Sequence, residues 1–359
     1  YAARYCIAEA GIDSADIDVV AFPYAPLSIF SPGRWHYARR HWYAPDRALD
    51  VLLNGNRRFR AHRKAIVNLG KELGVDWTNT DFVPVEHHLA HASSAYHLSG
   101  FDGKCAILGV DGKGEYATTF FGYGENGEIH KIKELFDPDS LGGLYGAMTE
   151  YLGFEMMDGE YKVMGMAPYG DPERYDLSRL IKREGGAIRI DNRYVNTTGL
   201  RRYKENGRGF FFSRALVDWL GPRRQDDEAD EPYVHYAAAV QALFEEHVLG
   251  LVDAHLAEVI TATGKVVFAG GGALNVKLNQ RLLARSDVTE LFVQPAAGDS
   301  GTALGAATYV AQARGECVAP LKHVYLGPCY DDAECKVAID RGGARITARK
   351  LDDPVNTAA

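Results

Sequence analysis

The chain lacks what several function classes require. No apolar run approaches the roughly 18 residues of a membrane-crossing helix, and the opening Tyr1-Ala2-Ala3-Arg4-Tyr5 has no signal-peptide layout. Basic excess is missing too. Forty Lys and Arg stand against 48 Asp and Glu, and a net charge of -8 gives no footprint for duplex nucleic acid. Cysteine is scarce: Cys6, Cys105, Cys317, Cys329 and Cys335 form no CxxC pair. Free thiols of this kind suit a reducing cytoplasm rather than a disulfide framework. There is no internal repeat and no low-complexity tract. What is present is ordinary for a globular chain: 46% apolar and 25% charged residues, with 38 glycines that favour an α/β fold rich in tight turns. At 359 residues the length predicts two lobes rather than one domain.

Periodicity predicts the elements. Residues 1–10 read as an amphipathic helix stopped by Gly11, and 17–22 as a strand. A Pro- and aromatic-rich excursion, partly helical, covers 23–56, and within 34–63 it is rich in Arg. A helix over 59–73 stops at Gly74, and a strand over 82–85 follows. Strands at 105–110, 116–123 and 129–135 are joined by glycine turns, as in an antiparallel meander. Helices are expected at 141–152, 171–183, 211–220 and 233–263, with a charged loop at 223–231. A buried strand at 265–269, a loop and helix at 270–285, a strand at 290–294 and a helix at 299–314 complete the pattern.

The stretch Glu86-His87-His88-Leu89-Ala90-His91 carries the most chemistry. His87 and His91 are four apart, and His88 and His91 three apart; on a helix either spacing puts two imidazoles on one face. Such a pair ligates a divalent metal when other ligands arrive from elsewhere. Three glycine-rich corners stand at strand ends: Asp111-Gly112-Lys113-Gly114-Glu115, Gly270-Gly271-Gly272-Ala273-Leu274-Asn275 and Gly298-Asp299-Ser300-Gly301. Glycine lets backbone N–H groups close on a phosphate, and a helix N-terminus adds positive potential, so the three suggest a nucleotide cleft. Asp111 ends a strand and Asp299 falls at an expected helix N-cap, where most Asp residues are structural. Together with two histidines they form a mixed set suited to Fe, Mn or Zn with positions open to a substrate oxygen. Lys113 and Lys162 are candidates to neutralise phosphate, though lone lysines are usually just solvated.

These runs, with Met164-Gly165-Met166-Ala167-Pro168-Tyr169-Gly170, resemble the NodU/CmcH carbamoyltransferase family of nodulation-factor and antibiotic O-carbamoyltransferases, in the same order across residues 85–307. The resemblance implies an actin-like ATPase (ribonuclease H-like) fold with two lobes around a nucleotide cleft. The lobes would be 1–103, completed by helix 299–314, and 104–298, with 315–359 leading onward. It implies a divalent metal, iron first and Mn or Zn next, on His87, His91, Asp111 and Asp299, leaving His88 as a neighbour. It implies adenine nucleotide against Gly270, Gly271, Gly272 and Asn275, with Gly142 and Glu160 near the ribose and phosphate. The expected substrates are ATP, carbamoyl phosphate and a small-molecule or glycan hydroxyl acceptor, with neither nucleic acid nor membrane as partner. The catalytic base is not assigned.

Two departures bear on this. The family's opening hairpin, with a G-x-x-x-x-H-D-A-S-like run, is not seen before Tyr1. Its second, adenylate-forming domain, with an R-x-E-x-G-P-R-A-L-G-like stretch, is not seen after Gly327-Pro328. The chain is therefore expected to be the transferase module alone. Acceptor choice is expected in 23–56 and 183–231, since loops vary in purpose without changing a fold. Rival readings are an actin-like-fold kinase, a tRNA-modifying transferase, and a non-catalytic module in which His87 and His91 are merely packed.

Overall fold

The computed structural model describes residues 1–196, 201–225, 230–343, 347–349 and 351. Two parallel strands, β1 (Val19–Phe22) and β2 (Asp81–Pro84), pair in register from Val19 opposite Asp81. The main sheet is built on β3 (Cys105–Val110), whose six residues are all buried. Full burial means both faces are covered, as the continuous apolar run requires. Cys105 and Ile107 pack on one side with Ala92, Ala95 and Tyr96 of the helix His87–Tyr96. Ala106, Leu108 and Val110 face the other side, with Leu144, Met148 and Val240. The helices Leu141–Tyr151 and Tyr233–His255 cover that face.

β4 (Ala117–Glu125) and β5 (Glu128–Phe136) extend the sheet as the expected antiparallel meander. Their turn is Asn126-Gly127, both at positive φ (52° and 79°), the backbone a two-residue hairpin demands. Two small hairpins follow, β6 (Ile181–Glu184) with β7 (Ala187–Ile190) and β8 (Arg202–Glu205) with β9 (Arg208–Ser213). β10 (Lys265–Ala269) then lies parallel to β3, and β11 (Glu290–Val293) parallel to β10. The order β11-β10-β3-β4-β5 is three meandering strands with two parallel strands added beside the first. That is the ribonuclease H-like arrangement of the actin-like fold expected from the sequence.

The histidine helix is held between this sheet and the helix Thr302–Ala313. Ala90 and Ala306, both fully buried, meet there, and a Cβ on Gly305 would fall 1.8 Å from the Ala90 carbonyl. Val19, Ala21 and Val83 of the small sheet close the far side. Contacts divide the chain into Tyr1–Pro320 and Leu321–Ala359; the described part of the latter holds one helix, Asp332–Gly342, with an Asp331/Glu334 capping box.

Three expectations about elements need correction, and a fourth, the partly helical 23–56, is filled in. Residues 171–183 form no α-helix but a 3-10 turn, Ser178–Leu180, running into β6. Asp171 and Asp176 each accept an N–H two residues on, at 2.9 and 2.8 Å, and these local bonds compete with helix. Residues 211–213 belong to β9, and the helix begins at Arg214 behind the Ser213 cap. The helix expected over 233–263 breaks at Leu256 into Tyr233–His255 and Ala257–Thr263. Within the 23–56 excursion two helices, Pro32–Arg40 and Pro45–Asn54, each start on a proline. Of the 223–231 charged stretch, 226–229 lies outside the described residues.

Candidate metal and nucleotide site

The histidine helix starts at the end of β2, and its first turn points back over the end of β3. Its N-cap residue, Glu86, makes no side-chain capping bond. Glu115, from the turn after β3, does that work from a distance: its buried carboxylate accepts the His87 N–H at 3.2 Å and the Ala25 N–H at 2.6 Å. A carboxylate there also meets the positive end of the helix. Gly114, in the same turn, leaves room for the His87 ring, since a Cβ would sit 2.9 Å from the His87 Cβ. The Asp-Gly-Lys-Gly-Glu turn thus places Asp111 and fixes the histidine helix together.

Four side chains converge. One ligand atom from each of His87, His91, Asp111 and Asp299 lies within 4.8 Å of all the others. The two histidine Nε2 atoms are 3.1 Å apart. His87 Nε2 is 3.4 Å from Asp111 Oδ2 and 3.4 Å from Asp299 Oδ1, and His91 Nε2 is 3.7 Å from Asp299 Oδ1. Donors about 2.1 Å from a tetrahedral metal stand about 3.4 Å from each other. The spacing fits.

The surroundings orient these donors. His87 Nδ1 faces the Pro23 carbonyl at 3.3 Å; a carbonyl only accepts, so Nδ1 donates and Nε2 is turned to the cluster. Asp111 Oδ1 accepts the Gly271 N–H at 2.9 Å, tying the second glycine-rich corner to the first. His91 is fully buried, and its Nδ1 has no hydrogen-bond partner among the described residues. Asp299 stands open, with 66% of its side chain exposed. It is the first residue of a 3-10 turn whose cap is Gly298, so the N-cap role expected for it is not what it performs.

Two imidazole nitrogens 3.1 Å apart cannot face each other as lone pairs without a proton or a cation between them. The electrostatics say the same. Burial would lower the pKa of His87, but the Asp111 and Asp299 carboxylates outweigh it and push it up to about 10. Asp111, burial notwithstanding, is held well below the usual carboxylate range by His87 and then by His91 and His88. Asp299 is lowered in the same way by His87 and His91. The cluster therefore calls for positive charge at its centre, and these donors fit a divalent metal. His88 is different: burial, reinforced by His87, takes it down to about 3, so it stays neutral and outside the group.

The glycine corners crowd the same strand end. Gly270 has φ +90°, and a Cβ on it would meet the Val110 carbonyl at 2.2 Å; one on Gly272 would meet the Val110 side chain at 2.8 Å. Gly142 faces them across the strand end, with a Cβ falling 2.7 Å from the Asp111 carbonyl. Gly270, Gly271, Gly272 and Gly142 thus surround Asp111. Asn275 is one turn further and buried. Its amide is taken up by Gln241, at 2.9 and 3.0 Å, and by the Leu278 N–H it caps. Glu160 opens the helix Glu160–Met166 beside Gly146 and accepts the Met157 N–H at 2.8 Å. Lys113 is bound by Asp137, and Lys162 lies over the Phe154 and Tyr161 rings, so neither stands uncommitted at the cluster. Glu115 and Ser140 went unassigned from sequence. Ser140 donates to the Gly112 carbonyl at 2.7 Å and caps the helix that carries Gly142.

The sheet defines an actin-like α/β chain, and His87, His91, Asp111 and Asp299 form a possible metal-binding group beside its glycine turns. The particular family follows from comparison: residues 2–308 match the family described as "Carbamoyltransferase N-terminus", and the chain belongs to it. It is 32% identical over 367 residues to the nodulation protein NolNO of Sinorhizobium fredii, an alignment covering 99% of this chain and 48% of that protein. It is 34% identical over 319 residues to the uncharacterized protein sll1178 of Synechocystis (86% and 49%) and 30% identical over 284 residues to the nodulation protein NolO of Bradyrhizobium diazoefficiens (77% and 47%). The chain spans about half the length of these relatives. Among solved structures it is similar to component A of the Acidaminococcus fermentans (R)-2-hydroxyglutaryl-CoA dehydratase, at 16% identity and a TM-score of 0.38, covering 66% of this chain and 72% of that one. It is also similar to full-length HypF in its phosphate- and nucleotide-bound form, at 15% identity and a TM-score of 0.37, covering 65% and 43%. No described helix is long and apolar enough to cross a membrane.

Proposed function

We propose that this chain is the transferase module of an O-carbamoyltransferase, which moves a carbamoyl group from carbamoyl-adenylate to a hydroxyl of a sugar-like or natural-product acceptor. The observation that carries the reading is the convergence of His87, His91, Asp111 and Asp299 beside the glycine turn of a carbamoyltransferase-family chain. In this reading the four side chains hold a divalent metal, Fe2+ first, with Mn2+ or Zn2+ as alternatives. When bound, it supplies positive charge for phosphate or carbamoyl oxygens. The exposed flank at Asp299 suits a site that must admit a substrate oxygen, unlike a closed structural site.

The chain's own residues do the positioning. Gly270, Gly271 and Gly272, with Gly142 opposite, let a nucleotide's phosphates approach the backbone at the strand end. Asn275 supports this indirectly, by capping the following helix. Glu115 and Pro23 keep the His87 imidazole aimed at the cluster. The lobes would be 1–103 with helix 299–314, and 104–298. Carbamoyl-adenylate would come from carbamoyl phosphate and ATP on a further, adenylate-forming module, in the cytoplasm.

The test is transfer of labelled carbamoyl phosphate by the full-length enzyme carrying His87→Ala or Asp299→Ala. A loss of at least about a hundredfold is expected, the scale of removing charge stabilisation at a reaction centre. Near-wild-type turnover in metal-depleted buffer would remove the metal from the mechanism. Label reaching the acceptor from ATP phosphate instead would make the protein a kinase.

A further inference from the structure

A second concavity lies away from the metal donors, and nothing in the carbamoyl-transfer reading uses it. It encloses about 530 Å³, within the ordinary range for small-molecule sites. One wall is a single face of the helix Pro32–Arg40: Pro32, Trp35, His36 and Arg39 sit at helical spacing. The floor is apolar, from Leu135 and Phe136 at the end of β5 and Ala187 and Ile188 of β7. The wall and the floor thus come from chain segments about 150 residues apart, the helix Pro32–Arg40 and β7.

Its charge is unbalanced in a specific way. The two acids of the lining are already committed. Asp139, buried, receives Arg40 at 2.9 and 3.1 Å, the Ile190 N–H at 2.8 Å and His36 Nε2 at 2.7 Å. Glu134 is paired with Lys131 at 3.0 Å. The two cations of the lining are not committed: among the described residues neither Arg39 nor Lys133 has an ion pair, a hydrogen bond or a ring contact. His36 is locked by Asp139, which orients the imidazole in the wall. Trp35 is half exposed at the same helix face. An apolar floor, an exposed indole and two uncommitted cations together suit a ring with one apolar face and an anionic substituent.

We infer that this cavity is a binding site for a small ring-bearing acid, a molecule carrying a carboxylate, phosphate or sulfate on a sugar or aromatic ring. The inference stands on the cavity and its charges, independent of carbamoyl transfer, so either can fail without the other.

The experiment is calorimetric titration of the chain, at low salt, with glucuronic acid, glucose 6-phosphate and benzoate, each against its neutral counterpart (methyl glucoside, glucose, benzamide). At least one acid is expected to bind about tenfold or more tighter than its counterpart. Arg39→Gln and Lys133→Gln should each weaken it about tenfold, the worth of one charge-assisted hydrogen bond. Trp35→Ala should weaken it without abolishing the preference for the acid. Both cations are on the surface, so the variants should melt as the wild type does. No binding across the three acids overturns the inference, as does equal binding of acid and neutral forms. Acid binding that survives both charge substitutions would place it at the metal-adjacent glycine turn, and overturns the inference too.

Discussion

Substituting His91 by Ala separates a metal site from a packed histidine pair. His91 is fully buried, and its Nε2 faces His87 Nε2 and Asp299 Oδ1. Its loss leaves three donors of four. Removing even an outer partner of a metal ligand costs ten- to a hundredfold in affinity, so losing a ligand itself should cost at least about a hundredfold. At a free metal concentration about 100 times the wild-type Kd, binding adds about 2.7 kcal/mol of stability; a hundredfold weaker site at the same concentration adds about 0.4. For a chain of this length 1 kcal/mol moves Tm by about 1.3 °C, so the metal-dependent rise should fall from about 3.5 °C to about 0.5 °C. The assay is thermal unfolding with and without Mn2+, Zn2+ or anaerobic Fe2+, with metal content measured in parallel. The readout is the rise caused by metal. It is therefore insensitive to the cavity that the substitution leaves in the core. His88→Ala is the control: it also truncates a buried histidine, so it should lower the starting Tm yet keep the full metal increment. A His91→Ala protein that keeps the wild-type increment, or a His88→Ala protein that loses it, refutes the assignment.

Other outcomes follow from the same geometry. Asp139→Ala should cost about 3 kcal/mol at neutral pH, because it strands the Arg40 guanidinium in a partly buried site. Burial would raise the Asp139 pKa, but His36 and Arg40 outweigh it and hold it low. Its stabilisation is thus complete above pH about 4 and lost as pH falls through the lower folded value; urea titrations from pH 7 to pH 3 should show wild type and variant converging at the acid end, and a constant gap would contradict this. Gly270→Ala should destabilise by about 2–4 kcal/mol, since φ is +90° and the Val110 carbonyl occupies the space a Cβ needs. Gly165→Ala, in a helix with open space around it, should be neutral or stabilise by up to about 1 kcal/mol, and equal costs for the two would overturn that contrast.

The sheet was legible because its signals are local. Apolar runs at 105–110 and 265–269 and the Asn126-Gly127 turn are readable without knowing what lies opposite them. The two hairpins β6–β7 and β8–β9 were missed although their turns, Gly185-Gly186 and Asn206-Gly207, all at positive φ, carry the usual signature. Charged, weakly alternating strands hid it. At the site, spacing alone left His87 and His88 equal as partners for His91, since steps of three and four both bring side chains near one face. The family resemblance picks His87; in physical terms the two differ by the position of Asp111 and Asp299, a property of chain segments far apart in sequence. Glu115 illustrates the same limit. It caps a helix that begins 28 residues before it, a relation no local pattern encodes.

The helix Thr302–Ala313 seals the histidine helix through Gly305, and Asp299 sits at its leading edge, more than 200 residues downstream of His87. During synthesis the imidazoles emerge long before half of their acidic partners. Any ion picked up early would be held by an incomplete cage and easily lost. On the proposed metal reading, stable loading would wait until the segment through Ala313 has been made, and metal occupancy would be a late checkpoint of assembly. Retained metal in a purified sample would then certify that the two ends of this unit have closed on each other.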